Sequence, residues 1–188
     1  MSGKSETSTF YCGRRLGTLP DLGREENSIK TLLILRHAKA EPDAGDGDEA
    51  RPLAKRGRRA AERVGELIAD QLPDLILSSS SVRTRETVER LKKGAGALPR
   101  VEYEPELYLA SPKRLVAVLA ARGGDAARLL LVGHNPGLED LVTDLTGERV
   151  SLPTAGLAEC TLEVARWSDV TLGTRAELVR LTYPRDDD

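Results

Sequence analysis

From Ile29 onward the chain alternates short apolar runs with segments whose apolar residues return every three or four positions. Uninterrupted apolar runs suit strands buried on both faces, and the periodic segments suit helices that cover them, so the alternation predicts βαβ units. The run Leu32-Leu33-Ile34-Leu35 predicts a strand over 31–36. An acidic loop over 41–49 follows, then a helix over 54–71 that Pro73 keeps from extending. There Ala60, Val64, Leu67, Ile68 and Leu72 return at helical spacing and are expected to face the sheet. A strand over 75–78 leads through Ser79-Ser80-Ser81 into a helix over 82–92, with serine as N-cap and Gly94 and Gly96 beyond its end. A short strand is expected over 101–103. Ser111-Pro112 reads as the N-cap and first position of a further helix, and Gly123-Gly124 as its stop. The run Leu129-Leu130-Leu131-Val132 predicts a strand over 128–132, and Leu138, Leu141, Val142 and Leu145 a helix just beyond it. Two closing β segments, over 157–164 and 176–182, flank the turn-like Trp167-Ser168-Asp169. The reading is an α/β fold with one domain over 29–188. Residues 1–28 hold no sustained period and read as a flexible extension.

Composition narrows the partners. A formal charge of −2 and 3% aromatic residues argue against nucleic-acid binding, which calls for a basic surface and, for single strands, stacking platforms. Cys12 and Cys160 supply neither a disulfide framework nor clustered metal ligands, which points to a reducing, cytoplasmic setting. No apolar stretch approaches the ~20 residues of a membrane span, and the polar start lacks the apolar core of a signal peptide, so no membrane partner is expected. Asp43, Asp46, Asp48 and Glu49 lack the spacing of a calcium loop and read as a solvated acidic stretch. Gly45-Asp46-Gly47 matches no nucleotide-binding fingerprint, and no metal or cofactor is expected. Lys55, Arg56, Arg58, Arg59 and Arg63 read as a solvated helix face rather than a docking patch.

The candidate chemistry lies where strands end. Arg36-His37 closes the first apolar run, and the only other histidine, His134, follows the run that ends at Gly133. In an open α/β sheet the crevice beyond the carboxyl ends of the strands is the usual seat of ligands, so the two imidazoles suggest one shared site. A neutral imidazole is a competent nucleophile, and phosphoryl transfer surrounds it with guanidinium forks, extra donors and helix N-termini. Arg36, Arg83 and His134 offer such groups. Arg83 falls in a first helical turn and His134 stands just ahead of a helix, where dipoles favour anions.

Four stretches carry a resemblance: Leu35-Arg36-His37-Ala38-Lys39-Ala40-Glu41, Arg51-Pro52-Leu53-Ala54-Lys55-Arg56-Gly57, the segment 79–87, and Val132-Gly133-His134-Asn135-Pro136-Gly137. In this order they resemble the histidine phosphatase superfamily, and within it the small SixA-type phosphohistidine phosphatases. The resemblance spans roughly residues 30–182. It implies a phosphoglycerate-mutase-like three-layer α/β/α sandwich around a mostly parallel sheet, without the large cap insertion of bigger relatives. It further implies that His37 becomes a transient phosphohistidine while Arg36, Arg83 and His134 hold the phosphoryl oxygens. Glu106, in Glu104-Pro105-Glu106-Leu107-Tyr108, is the segment's candidate proton donor. Ala38 stands where the wider superfamily has glycine, Ser80 where it has proline, Glu86 where glutamine is common and Ala54 where threonine is familiar. The Ser80 and Glu86 departures suggest a looser loop before Arg83, and Ala54 removes a helix cap.

The implied activity is a cofactor-independent, monomeric hydrolase that takes phosphate from phosphohistidine on a protein such as a histidine-phosphotransfer domain. Two alternatives stand beside it: a phosphatase of small phosphate esters, and a catalytically silent phosphate-binding module.

Overall fold

Among the described residues six strands, β1 (Ile29–Arg36), β2 (Leu75–Ser79), β3 (Arg100–Glu104), β4 (Arg128–Gly133), β5 (Leu157–Glu163) and β6 (Ala176–Thr182), form one sheet in the order β3-β2-β4-β1-β5-β6. The computed structural model describes residues 29–43 and 45–184. The expected extension over 1–28, with Cys12, lies outside them. The first four strands of the sheet are parallel, and β5 and β6 close it antiparallel. Helices α1 (Lys55–Ile68) and α2 (Val82–Ala95) cover one face, and α3 (Pro112–Arg122) and α4 (Gly137–Thr146) the other.

The alternation along each strand shows why the apolar runs are continuous. Leu32, Ile34, Leu77, Leu129 and Leu131 pack with Leu115, Leu119, Leu138 and Leu141 of α3 and α4. Their neighbours Leu33, Leu35, Ile76, Leu130 and Val132 pack with Ala60, Val64, Ile68, Val88 and Leu91 of α1 and α2. A strand clothed on both sides needs apolar residues at every position. Fully burying one such side chain contributes about 1.5–3 kcal/mol.

One expectation about α1 fails. Leu67 is exposed, and the inward face is Gly57, Ala60, Ala61, Val64, Gly65 and Ile68. The reason is close helix contact: a Cβ at Gly65 would stand 2.3 Å from the Leu91 carbonyl oxygen, and one at Gly94 1.9 Å from that of Glu62. Small residues therefore mark the face that meets α2, and an apolar-only count misses it. Gly94 for the same reason lies inside α2 rather than beyond it, and Gly96, at φ 79°, ends the helix. Trp167 is fully buried despite its turn-like setting, its indole N–H donating to the Ala126 carbonyl at 2.7 Å.

The register sets up the site. Arg36 lies opposite Gly133, and Ser78 opposite Val132, so His37, His134 and Ser79 leave three adjacent strands at one level. The chain moves outward from β1 through β2 to β3 and then returns to insert β4 between β1 and β2. Such a reversal opens a crevice at the carboxyl ends.

Candidate active site

His37 is held from several sides. Its backbone N–H donates to the Gly133 carbonyl at 3.1 Å, and its own carbonyl accepts from Ala155 N–H at 3.1 Å. The ring Nδ1 donates to the Ala38 carbonyl at 2.8 Å. A carbonyl only accepts, so the proton sits on Nδ1 and Nε2 keeps a free lone pair. Ala38 is fixed in turn, its N–H donating to Thr87 Oγ1 at 3.1 Å while that hydroxyl donates to the Arg83 carbonyl at 2.6 Å. Burial pushes the His37 ring down to about 4, against the opposing pull of the Ala38 carbonyl and with help from the charges of Arg83, Arg36 and Arg51. It is neutral near pH 7.

His134 stands beside it, ring centroids 5.1 Å apart. Its Nδ1 lies 3.3 Å from Arg83 Nη2 and its Nε2 2.9 Å from Ser79 Oγ. A guanidinium only donates, so Nδ1 accepts and the Nε2–H donates to Ser79. Burial first, then the charges of His37 and Arg83, push its pKa down to about 3. Two neutral imidazoles thus face one another between two arginines.

Arg83 leaves the first turn of α2 and is 3% exposed. Its Nη1 donates to the Asp48 carbonyl and its Nη2 to Asp48 Oδ2 at 2.8 Å. Arg36 donates through Nη1 to the Leu152 carbonyl at 2.9 Å, and its buried Nε has no hydrogen-bond partner among the described residues. That carbonyl also accepts from Asn135 Nδ2 at 2.9 Å, and Leu152 N–H donates to Glu139 Oε1 at 2.7 Å. Glu139, in the first turn of α4, thus fixes the loop against which Arg36 rests.

The structure brings together Arg36, His37, Arg83 and His134. Glu106 is exposed, and among the described residues its carboxylate pairs with Arg114 at 3.4 Å rather than with these four. Asp48 departs most from the sequence reading. Far from being merely solvated, its carboxylate accepts from the Tyr108 hydroxyl at 2.6 Å, from Arg51 at 2.8 Å and from Arg83. Tyr108, then Arg51 and Arg83, hold it well below the usual carboxylate range. Tyr108 also sets its ring edge-on to His134, centroids 5.3 Å apart, beneath the Arg83 guanidinium. Sequence reasoning passed over Asp48, Tyr108, Ser79, Thr87 and Glu139. The available signals were slight: Asp48 stands three residues before Arg51, and Tyr108 two after Glu106.

The loop before Arg83 is not slack. Glu86 Oε2 accepts from Leu53 N–H at 2.6 Å, the Ser80 carbonyl accepts from Arg85 Nε at 2.8 Å, and the Thr84 hydroxyl lies 2.7 Å from the Ser79 carbonyl. Ser81 occupies the N-cap position, but its hydroxyl pairs with Thr84 Oγ1 rather than a backbone N–H. Ala54 gives α1 no side-chain cap.

A family model of the histidine phosphatase superfamily (branch 1) matches residues 32–108. An uncharacterized protein of Mycobacterium tuberculosis, Rv1276c, is 35% identical over 165 residues, which cover 80% of this chain and 100% of that protein. Among solved structures, a provisionally named phosphohistidine phosphatase SixA from Nakamurella multipartitia superposes with a TM-score of 0.73 at 28% identity, covering 83% of this chain and 96% of that one. Its provisionally named counterpart from Agrobacterium tumefaciens gives 0.68 at 30% identity, covering 82% and 98%.

Proposed function

Because the chain belongs to the histidine phosphatase superfamily, we propose that it removes phosphate from phosphohistidine on a protein partner through a phosphorylated His37. The observation that carries this reading is the tautomer of His37: Nδ1 is committed to the Ala38 carbonyl, so Nε2 is the nucleophilic nitrogen. Attack by Nε2 moves the phosphoryl group onto His37, and water then hydrolyses the adduct. Arg36 and Arg83 supply guanidinium donors to the non-bridging oxygens, where charge concentrates. His134, held between Arg83 and Ser79, walls the cradle beside His37. The Arg36 Nε–H, buried and without a partner among the described residues, is a donor ready for such an oxygen. An imidazole departs more readily than an alkoxide and needs less help from an acid, which fits a site whose candidate donor, Glu106, is exposed and paired with Arg114. The SixA neighbours support the same substrate class. Cysteine usage agrees with work in the reducing cytoplasm.

The test mixes the protein with a phosphorylated histidine-phosphotransfer domain and follows phosphate release. Wild type is expected to release phosphate and to carry an acid-labile phosphoryl group on His37, and His37→Ala to do neither. Equal release by His37→Ala would overturn the assignment. Faster turnover of sugar phosphates than of phosphohistidine would move the activity to small esters, and affinity without turnover would make the protein a binding module.

A further inference from the structure

The group least explained by phosphate binding is Asp48, a carboxylate set beside the buried Arg83 in a site otherwise built for anions. Its side chain is 45% exposed where that of Arg83 is 3%, so it stands on the solvent side of the guanidinium, where a leaving group tethered to a protein must lie. Resting on the phosphohistidine reading, we propose that Asp48 is a specificity-determining residue whose carboxylate accepts the N–H of the substrate's phosphorylated imidazole and so selects phosphohistidine over phosphate esters.

The chemistry of the leaving group makes such an acceptor useful. When His37 Nε2 forms its bond to phosphorus, the P–N bond of the substrate breaks and its electron pair returns to the substrate ring. If the ring's other nitrogen carries a proton, the departing group is neutral imidazole. Without that proton it is an imidazolide anion, a far poorer leaving group. A carboxylate on that N–H favours the protonated, reactive form. His37 itself shows the matching arrangement on the accepting side, with its Nδ1–H on the Ala38 carbonyl. Both rings then keep a proton on the nitrogen remote from phosphorus, and the transfer is nearly symmetric.

Asp48 has room for this bond. A carboxylate offers about four acceptor positions. Oδ1 uses one for Arg51, and Oδ2 uses two for Arg83 and Tyr108. Among the described residues, one position on the exposed carboxylate is left. The charged and titratable groups facing Asp48 are Arg51 on its own loop, Arg83 of α2, Tyr108 after β3 and His134 after β4, and Tyr108, then Arg51 and Arg83, hold its carboxyl below the usual carboxylate range.

The experiment compares wild type, Asp48→Asn and Asp48→Glu on free phosphohistidine and on p-nitrophenyl phosphate, whose leaving group has no such N–H. Any loss that Asp48→Asn causes by loosening Arg83 strikes both substrates and cancels in the ratio of their kcat/KM values. That ratio is expected to fall at least about tenfold in Asp48→Asn. The alkaline limb of kcat on phosphohistidine should also move to lower pH, because the bound ring loses its proton more easily once the carboxylate is gone. Asp48→Glu should restore part of both. A ratio within twofold of wild type with an unmoved limb would overturn the proposal and leave Asp48 as an anchor for Arg83 alone. Wild type that cleaves the ester and not phosphohistidine would instead overturn the reading on which the proposal rests, and the proposal with it.

Discussion

At the scale of single residues, the site is decided by which nitrogen carries a proton and which groups hold it there. His37 and His134 are each assigned a tautomer by a partner that can play only one part, a carbonyl for the first and a guanidinium for the second. Thr87 controls the first of these indirectly. Its hydroxyl accepts from Ala38 N–H and donates to the Arg83 carbonyl, so one atom ties the loop of His37 to the helix that presents Arg83. Thr87→Val keeps the shape and deletes the hydroxyl. It leaves a buried Ala38 N–H without a partner, which costs about 1–3 kcal/mol. The Ala38 carbonyl would then hold the His37 ring less firmly, and kcat is expected to fall roughly 10–100-fold, the cost of a small misplacement of a reacting group. Thr87→Ser should recover most of both losses. Thermal melts and steady-state phosphate release check the pair, and a Thr87→Val enzyme with wild-type kcat would refute the coupling.

At the scale of elements, the glycines of α1 do two separate jobs that substitution can tell apart. A Cβ at Gly65 would meet the Leu91 carbonyl of α2 at 2.3 Å, while one at Gly57 would meet the Lys39 carbonyl, two residues past His37, at 2.1 Å. Both changes to alanine overpack a close contact and should destabilise by about 1–3 kcal/mol, less what alanine gains as a helix former. Gly65→Ala should leave kcat near wild type. Gly57→Ala should lower it, because the loop that must yield carries His37, the proposed nucleophile. Equal kcat in the two variants would show that the Lys39 loop gives way without moving His37. This distinction also marks the limit of reading elements from sequence. Strands β1, β2 and β4 were legible because burial on both faces writes a continuous apolar run, and the starts of α2 and α3 because serine and proline punctuate them. The α1–α2 contact was hidden because glycine carries no apolar signal, so Leu67 was placed inward and Gly94 outside its helix. The arginines and histidines of the site announced themselves by charge and position at strand ends. Asp48, Tyr108 and Ser79 did not, since the bonds that place them in the site, Asp48 to Arg83, Asp48 to Tyr108 and Ser79 to His134, join residues 35 to 60 positions apart and depend on where β2, β3 and β4 bring their loops.

At the scale of the whole molecule, the site imposes a pH dependence on stability. The chain has two histidines, and folding places both in the same buried cradle. Their folded pKa values are depressed to about 4 and about 3, whereas in the unfolded chain each titrates near the ordinary value of about 6.5. A group depressed in this way leaves folded stability whole above the unfolded value and erodes it as pH falls, because only the unfolded chain gains protons. Stability should therefore decline from about pH 6.5 down toward pH 4, by at most about 1.4 kcal/mol per pH unit for each histidine. Asp48 works in the same direction at lower pH: its depressed carboxyl stabilises the fold above the ordinary carboxylate range and loses that contribution as acid protonates it. The histidine effect is thus separable by its window, between pH 5 and 6.5, where carboxylates have hardly begun to titrate. Urea unfolding at pH 7.5, 6.5, 5.8 and 5.2 should give falling free energies in wild type. In His37→Ala, which keeps only His134, the slope across that window should be about half as steep. A wild-type curve that stays flat from pH 6.5 to 5.2 would mean that the folded protein protonates its histidines as readily as the unfolded chain, and that His37 is not held neutral by the fold.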